Sequence, residues 1–316
     1  MTVAFVFPGQ GSQAVGMGKS LADQFAAARA VFAEVDEALG QKLSDLMWNG
    51  PADQLTLTEN AQPALMAVSL AAMRVLEAEH GITIANMAKC VAGHSLGEYS
   101  ALAAAGTFTI ADTARLLKIR GRAMQAATPV GTGAMAALLG LDFATASAVA
   151  AEAAQGDVCQ AANDNSDGQV VISGHKAAVD RALEIAKAKG AKRAILLTVS
   201  APFHCALMQP AADAMAEALA NAEMQPPVVP VFANVVAAPL SDPAMIRQKL
   251  VAQVTGTVRW RECVAAMTAS GVNVFVEVGA GKVLTGLAKK NAPDARAFAA
   301  GTPEDIAAAA AQLKQG

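Results

Sequence analysis

The apolar positions along the chain follow two spacings, one typical of buried strands and one typical of helices. Short β-rich runs that end at a glycine or proline occupy residues 3–7 and 89–92, as expected of strands inside a sheet. Apolar residues recur at helical spacing over residues 21–39, 63–79 and 111–125, which predicts helices with one buried face. Because strands and helices alternate, we expect an α/β protein with a parallel sheet covered by helices.

The segment from residue 129 to residue 199 has a different order of elements. It predicts a strand, a helix, two strands, a helix and a strand, at residues 134–141, 143–154, 158–162, 169–173, 177–189 and 194–199. This βαββαβ order is the ferredoxin-like pattern. We therefore expect a small subdomain of residues 129–199 inserted into a large α/β subdomain of residues 1–128 and 200–316.

Composition and charge argue against several classes of protein. The chain of 316 residues is 54% hydrophobic, yet no apolar run reaches the roughly 20 residues of a membrane-spanning helix. The opening MTVAFVFPGQ lacks the basic residues of a secretion signal. Four widely spaced cysteines favour neither a zinc site nor a disulfide framework, which suits the reducing cytoplasm. The net charge of −3 argues against general nucleic-acid binding.

A serine between two glycines is the first candidate for chemistry. The pentapeptide GHSLG at residues 93–97 matches G-x-S-x-G and lies between a predicted strand and a predicted helix. That context is typical of a nucleophile elbow, and the helix N-terminus directs N–H groups toward a developing oxyanion. The alternative is a capping box formed by Ser95 and Glu98. The strand, turn and helix together favour Ser95 as a nucleophile.

A serine nucleophile requires a base, and the chain has four histidines, His80, His94, His175 and His204. We expect His94 to point away from Ser95, because neighbouring side chains at the end of a strand point to opposite sides. His204 lies where the small subdomain rejoins the large one, and clefts form at such junctions. His204 is therefore the best candidate for the base.

Arg120 lies on the apolar side of a predicted helix, whereas Arg115, Lys118 and Arg122 fall on the opposite side, which we expect to be solvated. A buried guanidinium needs an anionic partner. That partner is either a carboxylate of the core or the carboxylate of a substrate, bound by the guanidinium fork. A third possibility is that the side chain extends to water.

A glycine-rich motif follows the first predicted strand. The sequence GQGSQA at residues 9–14 matches G-x-G-x-x-[GA], a dinucleotide-binding pattern. The acidic residue that such a site requires about 20 residues later is Glu34 or Asp36, but both lie in a predicted helix. The support for a dinucleotide site is therefore weak. The same turn would serve equally well as part of an oxyanion hole.

Six motifs in order extend over nearly the whole chain. They are FPGQGSQ at 7–13, GHSLGEY at 93–99, GTGAM at 131–135, GQVVISG at 168–174, HCALM at 204–208 and EVGAGKVL at 277–284. Together they resemble the malonyl-CoA:acyl carrier protein transacylases of bacterial fatty-acid synthesis. One departure is the alanine of Gly279-Ala280-Gly281, where that family has proline. The resemblance implies an α/β-hydrolase-like large subdomain and a ferredoxin-like small one.

The resemblance also implies catalytic roles. Ser95 would be the nucleophile and His204 the base, with the His204 ring oriented by the backbone carbonyl of Gln253 rather than by an acidic residue. The backbone N–H groups of Gln10 and Leu96 would form the oxyanion hole. A malonyl-serine ester would then form and pass its acyl group to a second thiol.

For substrate binding, the resemblance implies that Arg120 holds the malonyl carboxylate and that Asn163 and Asn165 line the cleft. Phe203, before the histidine, accompanies malonyl selection in related polyketide acyltransferases, as does an aliphatic residue such as Leu96 after the serine. A phenylalanine ring that crowds an α-methyl group accounts for about 1–3 kcal/mol of selection. For Leu96 and Phe203 the alternative is simple packing against the cleft wall.

The ligands that the resemblance implies are malonyl-CoA as substrate and an acidic acyl carrier protein as partner, with no metal, no redox cofactor, no nucleic acid and no membrane. The exposed basic residues expected near the docking surface are Lys189, Lys192, Arg193, Lys289 and Lys290. The alternative for these residues is ordinary solvation at helix ends.

Three other functions remain open on the sequence. One is a malonyl-selective acyltransferase of a polyketide or polyunsaturated-lipid pathway. Another is a serine hydrolase, which has no need of the buried Arg120. The third is a module that binds carrier protein without catalysis, against which the joint presence of Ser95, His204 and Arg120 argues.

Overall fold

The strands of the chain form two separate sheets. The computed structural model describes residues 1–315, so that the last residue of the expected large subdomain, residue 316, lies outside the described part. The strands in this part are β1 (Val3–Phe7), β2 (Ala88–Gly93), β3 (Gly133–Leu139), β4 (Cys159–Ser166), β5 (Gln169–His175), β6 (Arg193–Leu196), β7 (Val231–Ala233), β8 (Ala238–Leu240), β9 (Val274–Val278) and β10 (Arg296–Ala300).

Helices cover both sheets and connect most of the strands. They are α1 (Lys19–Gln24), α2 (Ala26–Leu39), α3 (Leu43–Asn49), α4 (Ala52–Thr56), α5 (Thr58–His80), α6 (Ile84–Met87), α7 (Gly97–Ala104), α8 (Ile110–Ala126), α9 (Phe143–Ala154), α10 (Lys176–Ala188), α11 (Gln209–Ala220), α12 (Pro243–Thr255), α13 (Trp260–Ala269), α14 (Val283–Asn291) and α15 (Pro303–Lys314). A short 3-10 helix at Ala206–Met208 precedes α11. No helix within residues 1–315 is long and apolar enough to cross a membrane.

The larger sheet has six strands in the order β10-β9-β1-β2-β7-β8, and its neighbours are parallel except for the antiparallel pair of β7 and β8. All five residues of β1 are buried. Phe5 and Phe7 pack in the core on one side, and Ala4 and Val6 in the core on the other side. A strand buried on both faces has a continuous apolar run, which is why the sequence identifies β1.

The smaller sheet has four antiparallel strands in the order β4-β5-β3-β6. Its elements occur along the chain as strand, helix, strand, strand, helix and strand. The helices α9 and α10 pack on this sheet through alanine and valine side chains such as Ala146, Val149 and Ala182. The expected α/β class, with a parallel-rich sheet and a separate antiparallel sheet, is therefore confirmed.

The structure differs from the predicted elements where the local pattern is weak. The helix predicted at residues 21–39 is divided into α1 and α2, because Phe25 has an extended backbone with φ −120° and ψ 124°. The strands β8 and β10 were not predicted. β8 has three residues including Pro239, and β10 is rich in alanine with Phe298 as its one aromatic residue, so neither contains the β-branched residues typical of strands.

Helix α8 lies against the first turn of α5 at Gly121. A Cβ atom at Gly121 would lie 2.5 Å from Cα of Glu59 and 2.6 Å from the carbonyl oxygen of Thr58. Real Cβ atoms do not come this close to backbone, so glycine is what allows the two helices to approach. This approach brings Arg120, the neighbour of Gly121, into contact with Gln62 of α5.

The same approach buries Lys118, which we had placed on the solvated side of α8. Its ammonium lies 2.8 Å from Oδ1 of Asn60 and 2.9 Å from Oε1 of Gln41, and 3.2 Å from a carboxylate oxygen of Glu59. The prediction was wrong because α2 and α5 enclose α8 on more than the apolar side. Polar side chains of α5 and of the loop after α2 satisfy the buried charge.

Replacing Gly121 by alanine should destabilise the folded chain, because the added methyl group overlaps the backbone of α5. Overpacking of this kind costs about 1–3 kcal/mol of unfolding free energy, which urea unfolding followed by circular dichroism measures. Gly286→Ala is the matched control, because Gly286 also lies within a helix and a Cβ there meets no packed atom within 4 Å. Equal losses of stability in both variants would contradict the steric explanation.

Candidate active site

Ser95 lies on a tight turn between β2 and α7. Its φ of 54° is left-handed, a conformation that residues other than glycine rarely adopt. A Cβ at Gly93 would lie 1.9 Å from the carbonyl oxygen of Gly97, and a Cβ at Gly97 would lie 2.2 Å from that of Phe7. Glycine is therefore required on both sides of the serine, as the G-x-S-x-G motif predicts.

The backbone around Ser95 is held by Asn234 and Glu98 rather than by a capping box. The Ser95 N–H donates to Oδ1 of Asn234 at 2.8 Å. Glu98 accepts from the Asn234 N–H at 3.0 Å and from Nε2 of Gln253 at 2.8 Å. The capping-box alternative is therefore wrong. Glu98 turns into the core, where it is 1% exposed, and the N-cap of α7 is Leu96.

His204 contacts the serine directly. Its Nε2 lies 2.8 Å from Oγ of Ser95, and its Nδ1 lies 2.9 Å from the carbonyl oxygen of Gln253. A carbonyl oxygen only accepts, so Nδ1 carries the hydrogen and Nε2 is left to accept from the serine hydroxyl. This is the geometry of a nucleophile, a base and a group that orients the base.

Arg120 is 1% exposed and reaches the same serine. Its Nη2 donates to Oγ of Ser95 at 3.1 Å and to Oε1 of Gln253 at 2.9 Å, and its Nη1 donates to Oε1 of Gln62 at 2.8 Å. The guanidinium also lies 5.7 Å from the ring centre of Tyr99. No carboxylate oxygen of residues 1–315 lies within 4.0 Å of it, so the alternative of a salt bridge in the core is wrong.

The surroundings of these groups set their protonation. Burial lowers the pKa of His204 to about 3, and the cation of Arg120 adds to this effect. Burial raises the pKa of Glu98 to about 7, although hydrogen bonds from Asn234 and Gln253 oppose the rise. His204 is therefore neutral near pH 7, which is the state that accepts a proton.

A cavity of about 330 Å³ opens beside Ser95, between the two sheets. Strands of the small sheet, loops that follow β1 and β2, and helices of the large part line it, including Gln10, Ser95, Arg120, Asn163, Asn165, Phe203 and His204. Of the remaining residues expected at the site, Leu96 and Gln253 are buried. The carbonyl oxygen of Gln253 contacts Nδ1 of His204, on the side of the ring away from Ser95.

Asn165 connects the small sheet to the turn that carries Ser95. Its Oδ1 lies 2.8 Å from Nε2 of His94, and its carbonyl oxygen accepts from Nδ2 of Asn291 at 2.9 Å. His94 thus points away from Ser95 and hydrogen-bonds across the junction. In the same strand, Asn163 forms a bridge with Val258 in the loop before α13, so β4 contacts the α13 and α14 region of the larger part.

The cavity belongs to a chain whose relatives are known. A family profile described as the acyl transferase domain matches residues 4–304. The chain belongs to this family. The malonyl CoA-acyl carrier protein transacylase of Escherichia coli (strain K12) is 49% identical to this acyl transferase over 306 residues, which are 97% of this chain and 98% of that protein.

Solved structures of similar proteins superpose on this acyl transferase over almost the full length. An acyl-carrier-protein-S-malonyltransferase from Bartonella henselae has a TM-score of 0.97 at 58% identity, with 99% of this chain and 100% of that chain covered. A malonyl-transacylase solved in complex with its type II PKS acyl-carrier protein has a TM-score of 0.95 at 43% identity, with both chains covered to 100%.

The glycine-rich loop after β1 does not form a dinucleotide site. Residues 9–13 line the cavity, and the next helix, α1, begins only at Lys19. A dinucleotide fingerprint requires a helix that opens at the glycines and an acidic residue at the end of a second strand. Glu34 and Asp36 lie inside α2 instead, so this alternative is wrong for this acyl transferase.

Three polar residues organise the site of this acyl transferase in roles that were not expected from the sequence, namely Gln62, Glu98 and Asn234. All three are buried and hydrogen-bonded to groups around Ser95 or Arg120. Gln62 lies in α5, but the predicted helix begins only at residue 63, so the periodicity did not place Gln62 on a buried face. Asn234 directly follows β7, at the carboxyl edge of the sheet where sites form.

The imidazole of His204 should stay neutral from about pH 5 to pH 8, because burial and Arg120 hold its pKa near 3. NMR detection of the ring nitrogens measures this, and the urea-unfolded chain should titrate near the ordinary value of about 6.5. Because the folded pKa is lower, the unfolded chain alone takes up this proton below pH 6.5, and stability falls as the pH decreases toward 3.

Arg120→Gln should raise the pKa of His204, since it removes a positive charge and keeps a polar side chain at the site. A wild-type ring that gains a proton near pH 6.5 would contradict the assigned environment, as would a pKa that is unchanged in Arg120→Gln.

Proposed function

We propose that this acyl transferase moves the malonyl group of malonyl-CoA to the phosphopantetheine thiol of an acyl carrier protein for fatty-acid chain elongation. One observation carries the proposal: the buried guanidinium of Arg120 has no carboxylate partner among residues 1–315 and lies 3.1 Å from Oγ of Ser95. In a malonyl group a single methylene separates the carboxylate from the carbonyl that the serine attacks. The names of the relatives support the same substrate.

In the first half of the reaction, Oγ of Ser95 attacks the thioester carbonyl while Nε2 of His204 takes the hydroxyl proton. The resulting oxyanion is held by the backbone N–H groups of Gln10 and Leu96. When the tetrahedral intermediate collapses, the C–S bond breaks and the protonated His204 gives its proton to the leaving sulfur. CoA departs as a thiol, and the malonyl group remains as an ester on Ser95.

In the second half, the carrier thiol enters the same cavity and attacks the ester carbonyl, and His204 removes the thiol proton. The ester C–O bond then breaks, and His204 returns the proton to Oγ of Ser95. Both halves use the same base, which the Gln253 carbonyl orients at 2.9 Å from Nδ1. These proton transfers balance with the chain's own groups, so we propose malonyl-CoA as substrate with no resident cofactor.

Substrate selection in this proposal depends on the walls of the cavity. Arg120 pairs with the malonyl carboxylate, Asn163 and Asn165 line the acyl and thiol path, and Phe203 limits the space beside the α-carbon. The burial of Arg120 strengthens the ion pair, since the surrounding dielectric is low. A substrate without a carboxylate leaves the guanidinium unpaired and loses that contribution.

The family resemblance assigns a role to each of the two sheets. We propose that residues 1–128 and 200–316 form an α/β-hydrolase-like large subdomain that supplies Ser95 and His204. Residues 129–199 form a ferredoxin-like small subdomain that closes the cavity from the other side. The strand order β4-β5-β3-β6 supports the second assignment. We further propose a cytoplasmic location, which suits four cysteines that are all unpaired in the described chain.

One alternative pathway has a specific observation in its favour. The solved relative that holds a type II PKS acyl-carrier protein is 43% identical to this chain, which favours malonyl transfer to a polyketide carrier as the second candidate. The serine hydrolase is less well supported, because hydrolysis of a simple ester has no use for the unpaired Arg120. The hydrogen bond of 2.8 Å between Ser95 and His204 argues against a module without catalysis.

An acidic carrier requires a local basic surface, because this chain has a net charge of −3. We propose that the surface lies beside the cavity, at Lys192, Arg193, Lys289 and Lys290. Nζ of Lys290 lies 3.3 Å from Oε1 of Gln169, which lines the cavity.

The register of the small sheet supports the same surface. Leu139 pairs with Gln169 in β5 on one side and with Arg193 in β6 on the other, so Arg193 lies two strands away from a cavity residue. Lys189 is a weaker member of the set, because its ammonium lies 3.5 Å from a carboxylate oxygen of Glu152. Part of its charge is thus already offset.

Brief mixing with malonyl-CoA should add the mass of one malonyl group to the wild-type protein, measured by intact-protein mass spectrometry. Ser95→Ala should gain no mass, because the nucleophile is absent. Acetyl-CoA should give little adduct, since it has no carboxylate for Arg120. Arg120→Ala should lower kcat/KM for malonyl-CoA by about a hundredfold or more, the cost of removing a buried charge partner. An acetyl adduct as strong as the malonyl one would contradict the proposed substrate.

Charge reversal at Lys289→Glu and Lys290→Glu should raise the KM for carrier protein and leave the KM for malonyl-CoA unchanged, because the docking charges act only on the carrier. The matched control reverses two exposed cations that lie outside the proposed docking surface, Arg74→Glu and Lys314→Glu. Steady-state transfer assays measure both constants. Equal effects of the two double variants would mean that the carrier responds to net charge and not to this surface.

A further inference from the structure

A chain of three hydrogen bonds runs from Arg120 to Gln10 beside the cavity. Nη1 of Arg120 donates to Oε1 of Gln62 at 2.8 Å, Nε2 of Gln62 donates to Oγ1 of Thr58 at 3.0 Å, and Oγ1 of Thr58 donates to Oε1 of Gln10 at 2.8 Å. Thr58 is 0% exposed and Gln62 is 1% exposed. The two residues therefore connect the cation to the glycine-rich loop without contact with bulk water.

The direction of each hydrogen bond follows from the first one. Arginine only donates, so Gln62 must turn its carbonyl oxygen toward Arg120 and its amide nitrogen toward Thr58. The Thr58 hydroxyl then accepts from Gln62, and its single proton is left for Gln10. Hydrogen bonds that point the same way polarise one another, and each link here fixes the orientation of the next.

The far end of the chain is the loop that we propose as half of the oxyanion hole. Gln10 lies next to Gly9, where a Cβ atom would be 2.7 Å from the carbonyl oxygen of His94. The His94 N–H in turn donates to the carbonyl oxygen of Phe7 at 3.0 Å. The loop is thus in direct contact with the turn that carries Ser95, and a small shift of Gln10 moves its N–H group relative to the reacting carbonyl.

We infer that Thr58 and Gln62 are positioning residues. They form a hydrogen-bond relay from Arg120 through Gln62 and Thr58 to Gln10, and this relay holds the Gln10 loop in a fixed position relative to Arg120. One guanidinium therefore aligns both the oxyanion-binding loop and the base. The other end of the same guanidinium contacts Oε1 of Gln253 at 2.9 Å, and the Gln253 carbonyl orients His204. This inference rests on the proposed malonyl transfer and goes beyond it. It assigns work in the acylation step to two residues that do not touch the reacting atoms.

Thr58→Val tests the relay, because valine has nearly the shape of threonine but neither accepts from Gln62 nor donates to Gln10. The rate constant for formation of malonyl-Ser95 at saturating malonyl-CoA should fall about tenfold, less than the 10²–10³-fold cost of losing an oxyanion-hole donor outright. The KM for malonyl-CoA should change less than about threefold, since the binding cation remains. Rapid-quench mass spectrometry of the adduct measures the rate.

Two companions separate the hydroxyl from its surroundings. Thr58→Ser keeps the hydroxyl and should restore most of the wild-type rate. Thr107→Val is the matched control, because Thr107 is 1% exposed and its hydroxyl has no hydrogen-bond partner among residues 1–315. It removes a buried hydroxyl outside the relay and should leave the acylation rate unchanged.

Gln10→Ala tests the relay from its exposed end and does not disturb the core, since Gln10 is only half-buried. If Thr58 acts through Gln10, the double variant Thr58→Val with Gln10→Ala should be about as slow as the slower single variant, and not slower by the product of both effects. This cycle remains informative if Thr58→Val lowers the unfolding temperature, because Gln10→Ala then carries the measurement.

Several results would overturn the relay. They are a Thr58→Val rate within about twofold of wild type, a loss confined to KM, a Thr58→Ser variant as slow as Thr58→Val, or fully multiplicative effects in the double variant. A wild-type protein that forms no malonyl adduct would overturn the proposed function instead, so the two failures are distinguishable.

Discussion

The structure depends on a guanidinium that has been removed from water without a carboxylate beside it. Taking such a charge out of water costs several kcal/mol unless hydrogen bonds or an anion offset the loss. Arg120 receives partial compensation from the amide oxygens of Gln62 and Gln253 and from the hydroxyl of Ser95. Neutral dipoles leave the positive charge in place, and a substrate carboxylate can then neutralise it beside the nucleophile.

The hydrogen bonds of Glu98 illustrate why the charge stays available. Glu98 accepts a hydrogen bond from Nε2 of Gln253, while Oε1 of the same amide accepts from Arg120. One amide therefore separates the carboxylate from the cation, which prevents a closed salt bridge in the core. Burial lowers the pKa of His204, and the positive charge of Arg120 adds to this effect, so the imidazole stays neutral. In the proposed mechanism Arg120 and His204 thus support each other, since a neutral imidazole is required for proton removal.

Strain at two backbone positions accompanies this arrangement. Ser95 and His204 both have positive φ values, 54° and 59°, although neither is glycine. Such conformations persist only where the surroundings determine them more strongly than the local preference opposes them. For Ser95 these surroundings are the close contact of Gly97 with Phe7 and the hydrogen bond to Asn234. The position of Ser95 is therefore a property of the packed sheet and not of the turn alone.

The sequence by itself determined the features that arise from local sterics and periodicity. These are the strand, turn and helix around Ser95, the alternating elements of the small sheet, and the placement of Arg120 on the apolar side of its helix. Only the tertiary structure decided which distant groups meet. His204 reaches Ser95 from 109 positions away. Gln62 accepts a hydrogen bond from Arg120, and Lys118 is buried by α2 and α5. Periodicity indicates which face of a helix is covered, but the partner on that face depends on how the whole chain packs.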